Sequence, residues 1–323
     1  RIPNRDWANW EGAMNPWVEP EDGDAGGRAK KITRPRPGHA DLVGTLKYGF
    51  DDVRNALERA SARHTAIRTA LGALCYELLL ALGVTGTGFV TAVGDAAADP
   101  AKTDFASVAA LEKAIESSQL RCPDPEAEAR MIELITLCKK EGDSLGGVVE
   151  VWFEGLVPGL GSYAQWDRRL DGRLAQAIMA IQAFKGVEIG AGFAYARSRG
   201  SRSHDGIAIK KGHIGRTGNN SGGLEAGMTN GERLVVRGGM KPLPTLVKAL
   251  QSVNLATKQP EKATVERTDV CAIAAASVVG FSVTSIALAE AYLEKFGNDN
   301  LGDIEASLKQ YRKRVNGVLD VGR

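Results

Sequence analysis

Cysteine is scarce in this chain and shows no pairing pattern. The four, Cys75, Cys122, Cys138 and Cys271, include no CxxC pair and no histidine at metal-ligand spacing. That argues against a structural metal and for unpaired thiols in a reducing, cytoplasmic compartment. Charge of one sign is also lacking: 41 Lys and Arg stand against 39 Asp and Glu, a formal +2. So small an excess excludes nucleic-acid binding through bulk charge, and any anion site has to be local. The common nucleotide and zinc-protease signatures are missing as well. No GxGxxG follows an expected strand, and neither GxxxxGK[ST] nor HExxH occurs. No apolar targeting segment opens the chain, whose first ten residues are mostly charged and polar. It starts with Arg rather than Met, so a fragment or processed form lacking an upstream segment is expected.

What the chain does have is 43% apolar and 25% charged residues, enough for a sizeable core and too apolar for general disorder. Glycine is abundant, 38 of 323 residues, which predicts many tight turns or close backbone approaches. Residues 1–38 read as an irregular arm. The spacing of Ile67, Leu71, Leu74, Cys75, Leu78, Leu79 and Leu82 predicts a helix over 65–82 with that set as its buried face. Strands are expected at 89–93, 146–154, near Val187 and from Leu234. Asp124-Pro125-Glu126 predicts one helix start, and Leu170, Leu174 and Ile178 mark another helix. The stretch 215–231, with six glycines in seventeen positions, is expected to be a loop. Val270 to Ala289 is uncharged over a membrane-spanning length. Its Ala, Ser, Thr and Gly content, and the lack of flanking aromatic or basic belts, predict instead a helix buried on all sides in a soluble protein. A last amphipathic helix carries Ile304, Leu308 and Tyr311. So irregular an alternation argues against a doubly wound sheet and for a single-domain α+β sandwich.

Four short segments carry the chemistry. Arg36-Pro37-Gly38-His39-Ala40-Asp41 places an imidazole after a stiff turn, either a proton-transfer group or a plain surface histidine. Arg59-Ala60-Ser61-Ala62-Arg63-His64 sets two arginines four apart at an expected helix start, either an anion site or a solvated basic end. Lys241-Pro242-Leu243-Pro244-Thr245 either braces a ligand or forms an edge strand. Asp269, in Arg267-Thr268-Asp269, is either the N-cap of the buried helix or a proton-transfer carboxylate.

Taken in order, the stretches NRDWANWEGAMNP, RPRPGHADLVGTLKYGFDDVRNALERASAR, KKEGDSLGGVVEVWFEGLVPGLGS, WDRRLDGRLAQAIMAIQAFKGVEIGAGF, SGGLEAGMTNGE, MKPLPTL and ERTDVCAIAAASVVG resemble the chorismate synthase family over nearly the whole chain. The resemblance implies a β-α-β sandwich, helices packed between antiparallel sheets, assembled as a homotetramer without nucleic-acid or membrane partners. It implies a lyase that removes phosphate from 5-enolpyruvylshikimate 3-phosphate by 1,4-anti elimination, giving chorismate, with reduced FMN and no net redox change. His39 then matches the histidine that protonates the reduced flavin, and Asp269 the carboxylate that works with it in removing the C6 proton. FMN contacts are implied at Arg59, Ala60, Ser61, Gln182, Ala183, Ala226, Lys241, Pro242, Leu243, Pro244, Thr245 and Arg267, with no metal.

Three departures from the family pattern bear on activity. The family's amino-terminal segment, with Gly-Glu-Ser-His-Gly and the arginines that hold substrate and NADPH, has no counterpart here. The alternative reading is therefore a flavin- and anion-binding scaffold without turnover. His64 stands where the family has Glu, which is expected to remove an ion-pair partner of Arg63. Ala226 replaces a usual Gly and adds a methyl.

Overall fold

The structure, a computed structural model, describes residues 2–3, 7–9, 31–266 and 268–321. Most of the expected arm and Arg267, an expected FMN contact, lie outside the described residues. Two short helices, α1 (Asp41–Tyr48) and α2 (Arg54–Arg59), lead into α3 (His64–Ala81). Then come β1 (Thr85–Val93), β2 (Ala96–Ala97), α4 (Val108–Ile115), α5 (Pro125–Glu141), β3 (Gly147–Glu154), α6 (Leu170–Met179) and β4 (Phe184–Ile189). The helical turns α7 (Gly192–Ala196) and α8 (Gly200–Ser203) follow. They precede a hairpin of β5 (Ile207–Lys210) and β6 (His213–Arg216). Within the glycine-rich stretch, β7 (Leu224–Glu225) and β8 (Met228–Thr229) form a small ladder. The remaining elements are β9 (Leu234–Met240), β10 (Gln251–Val253), β11 (Pro260–Lys262), α9 (Ile273–Phe296) and α10 (Leu301–Leu319). The fold is α+β, and its central sheet is antiparallel throughout in the order β2-β1-β3-β9-β4.

Local signals explain most of these elements. The Asp124 carboxylate accepts hydrogen bonds from the backbone N–H groups of Glu126 and Ala127, Pro125 opens α5, and Gly142 in the left-handed conformation closes it. Leu170, Leu174 and Ile178 are all buried on α6. The four cysteines are free thiols.

α9 runs past the uncharged stretch to Phe296, and it is long and apolar enough to cross a membrane by composition. It is instead packed against α3, β1, β3 and α6, with 67% of its most apolar window buried. Its buried hydroxyls on Ser277, Ser282, Thr284 and Ser285 each donate to a carbonyl three or four residues back, which satisfies them inside the core.

The expected buried face of α3 is corrected. Ile67, Leu71 and Leu74 are 61, 49 and 68% exposed, and the buried residues of α3 are Gly72 and Leu79. The cause is a close helix crossing, because a Cβ at Gly72 would lie 2.5 Å from Ser282 Cβ. α9 rests on the glycine, and Ile67, Leu71 and Leu74 turn away, while Leu79 and Leu82 of the expected face are buried and Cys75 and Leu78 half-buried. Gly88 does the same for the sheet, since a Cβ there would meet the Ser277 carbonyl oxygen at 2.3 Å.

Candidate active site at the end of β9

A side cluster of Ile32, Val53, Leu57 and Leu255 anchors residues 31–36 beside the β10–β11 hairpin. The strap is continued by the Leu255 N–H on the Thr33 carbonyl (2.9 Å) and the Ser252 hydroxyl on the Pro35 carbonyl (2.5 Å). Arg36 and His39 are thereby delivered to the end of β9. Gly38 turns the chain at φ 76°, and its carbonyl accepts from Lys241 Nζ.

Arg36, only 7% exposed, donates through Nε to Asp41 Oδ2 (2.9 Å) and through Nη1 to Thr245 Oγ1 (2.6 Å). Asp41, 1% exposed, also accepts the Arg36 backbone N–H (3.0 Å) and faces His39 Nδ1 at hydrogen-bond range. Burial pushes the Asp41 carboxyl up, but the hydrogen bonds from His39 and Arg36 outweigh it and hold the group down to about 2.

Around this knot the other segments gather. The Lys241 N–H donates to the Ala183 carbonyl (2.9 Å), the Ser144 hydroxyl to the Leu243 carbonyl (2.6 Å), and the Leu145 N–H to the Val270 carbonyl (2.9 Å). Three sequence-predicted segments therefore meet at one end of the central sheet, His39, Gln182–Ala183 and Lys241–Thr245, and Val270 ties the stretch next to Asp269 to the neighbouring Leu145. Asp269 is exposed, and α9 begins only at Ile273, with Ala272 at the cap position and no side-chain cap. That removes the N-cap alternative. Sequence reasoning missed Ser144, which sits in a GxSxG pattern at 142–146. Its hydroxyl fastens the Lys241–Thr245 stretch and is not set up as a nucleophile.

The fit to a flavin rests on Gln182. Its Oε1 is buried without a hydrogen-bond partner among the described residues. Such an orphan costs about 1–3 kcal/mol. An N–H on the edge of a flavin ring is a donor of the kind that would satisfy it. Ala183 beside it holds φ 69°, and β4 bulges between Phe184 and Gly186.

Arg59 ends α2 rather than starting a helix; it is exposed, and its guanidinium bonds to the His64 ring. Arg63 pairs with Glu58 (2.9 Å), so Glu58 supplies the carboxylate that His64 was expected to remove.

Ala226 lies in the glycine-rich loop, which joins the other end of β9 through the Val235 N–H and the Gly222 carbonyl (3.1 Å). The length of the seven-residue strand, about 20 Å, separates that junction from Lys241. Ala226 lines a cavity of about 400 Å³ with Asp171, Tyr195 and Asn220. A second cavity of about 330 Å³ lies between β6 and α10, lined in part by His213, Arg216, Tyr311 and Arg312. Neither cavity is lined by His39 or Asp269.

The family model described as chorismate synthase matches residues 1–293. The chain belongs to the chorismate synthase family. Enzymes of this family are lyases of the final shikimate-pathway step. The chorismate synthase of Trichlorobacter lovleyi is 52% identical over 318 residues, covering 96% of this chain and 79% of that protein. That of Syntrophotalea carbinolica is 52% identical over 315 residues, covering 97% and 79%. A crystal structure of chorismate synthase matches with a TM-score of 0.74 and 41% identity, over 86% of this chain and 77% of that one.

Proposed function

We propose that this chain performs the chorismate synthase reaction, the 1,4-anti elimination of phosphate from 5-enolpyruvylshikimate 3-phosphate. The observation that carries the reading is the convergence of His39, Gln182–Ala183 and Lys241–Thr245 at one end of the sheet, with the stretch next to Asp269 tied to Leu145 through Val270. Reduced FMN, when bound, would lend electron density to the substrate as phosphate leaves and take it back as the C6 proton goes.

The chain's own residues do the rest. Lys241–Thr245 is pinned by Ala183, Ser144 and Arg36, which makes it a stiff wall for a planar ring. Gln182 Oε1 would accept a hydrogen bond from the ring edge of the bound cofactor. Lys241, Arg59, Ala60, Ser61 and Arg267 form the anion-holding set. With His39 Nδ1 engaged by Asp41, Nε2 is the atom left to hold or give a proton. Asp269, exposed at the start of the α9 segment, takes the proton that leaves C6. Ala226 reaches this place from a second copy of the chain, so the proposal includes a homotetramer, with the exposed Ile67-Leu71-Leu74 stripe as available contact surface.

Anaerobic incubation of the protein with 5-enolpyruvylshikimate 3-phosphate and photoreduced FMN tests this, with chorismate as the expected product. Tight FMN binding by fluorescence without chorismate would favour the scaffold reading instead.

A further inference from the structure

We infer that Asp41 is a positioning residue for His39, and that Arg36 couples this pair to the cofactor-holding stretch through Thr245. The inference rests on the proposed proton-donor role of His39.

Its basis is the hydrogen-bond arrangement of a buried knot. Asp41 opens α1, an eight-residue helix, so its backbone is fixed where the Gly38 turn ends. An ionised carboxylate only accepts hydrogen bonds, so the His39 nitrogen that faces it, Nδ1, must carry a hydrogen. That fixes the ring's tautomer and rotation and assigns the variable proton to Nε2, the pattern by which a carboxylate orients a catalytic imidazole.

Arg36 is what lets the carboxylate stay ionised while buried. Its Nε and backbone N–H both bond to Oδ2, which leaves Oδ1 for the histidine. Its Nη2 lies 3.3 Å from Oδ1 and faces both ring nitrogens of His39, Nδ1 at 3.0 Å and Nε2 at 3.5 Å; with Nδ1–H given to Asp41, the approach of Nη2 to Nδ1 is a contact of two donors across the shared carboxylate and not a hydrogen bond. The carboxylate sits between two groups that are cations when the ring is protonated, and it offsets their repulsion. The last donor, Nη1, goes to Thr245 Oγ1, a buried hydroxyl at the end of the Lys241–Thr245 stretch. In the transfer itself the Nε2–H bond breaks, its electron pair stays on the ring, and the acceptor gains the proton. The imidazolium becomes neutral with Nδ1–H retained.

The test combines ring ¹⁵N spectra of the whole chain, residues 1–323, with kinetics. In the unaltered protein His39 Nδ1 should carry hydrogen at neutral pH, a measurement that needs no turnover and no variant. An unprotonated Nδ1 overturns the inference. In Asp41→Asn the His39 ring signals should shift toward a mixture of tautomers, and kcat should fall about 10²-fold with KM and FMN affinity within twofold. Asp41→Glu should recover part of that loss, and Thr245→Ala should lower kcat several-fold with the fold intact. If kcat and ring spectra are both unchanged in Asp41→Asn, Asp41 is not a positioning residue. If His39→Ala itself keeps full kcat, the reading of His39 fails, a result separable from loss of activity in His39→Ala alongside a fully active Asp41→Asn.

Discussion

Gly72 of α3 packs directly onto Ser282 of α9, where a Cβ would lie 2.5 Å from Ser282 Cβ and 2.6 Å from its Cα and carbonyl oxygen. Two of those three neighbours are backbone atoms and cannot swing aside. Gly72→Ala should therefore push the helices apart and cost about 1–2 kcal/mol net, the strain exceeding alanine's helix-propensity gain of about 1 kcal/mol. Urea denaturation would show a lowered midpoint at unchanged slope; an unchanged or raised midpoint would contradict the close crossing.

Ala226 holds φ 50°, a conformation that an L side chain pays for and glycine does not. Ala226→Gly relieves that strain while loosening the unfolded chain, for a net stabilisation of about 0.5–1 kcal/mol. The same change enlarges the roughly 400 Å³ cavity by a methyl. Thermal unfolding of the two proteins side by side decides the sign.

Asp41 carries a pH dependence of known direction. Its carboxyl is lowered in the folded protein to about 2. It therefore contributes stability that is complete above the unfolded value of about 3.9 and is lost as pH falls through about 2. The contribution is about 2 kcal/mol. Denaturant curves collected downward from pH 5 should show the stability gap between the unaltered protein and Asp41→Asn narrowing by about that amount. Parallel pH profiles would show that the carboxylate is not held as described.

Gln182 offers a sharper test of the cofactor reading. Gln182→Leu removes an unpaired buried acceptor at similar volume, so the flavin-free protein should be unchanged or slightly more stable. FMN affinity, by contrast, should drop up to about tenfold in a fluorescence titration. Equal affinity would remove Gln182 from the binding set.

Some elements were legible in the sequence because their causes are local. Asp124-Pro125 caps α5 within four residues, and the four-residue spacing of Leu170, Leu174 and Ile178 needs nothing outside α6. The burial of α3 was legible only toward its end, at Leu79 and Leu82. Counting apolar residues favours Ile67, Leu71 and Leu74, whereas one small residue, Gly72, decides which side meets α9. The site shows the same divide. His39 and Lys241–Thr245 stand out as segments, but their union through Arg36 and Thr245 is tertiary. Asp269 reads equally as a cap or a proton-transfer group until the helix start is seen at Ile273. Ala226 and Lys241 are both expected cofactor contacts, yet the loop that holds Ala226 joins one end of β9 and Lys241 follows the other.

The ties that close the site span long stretches of chain: 209 residues from Arg36 to Thr245, 203 from Gly38 to Lys241 and 230 from Arg34 to Thr264. At a ribosomal pace of about 5–20 residues per second, the first half of this cluster waits roughly 10–40 s for the second to be made. During synthesis the His39 turn therefore exists without its partners, and this end of the sheet can close only after Thr264 has been made.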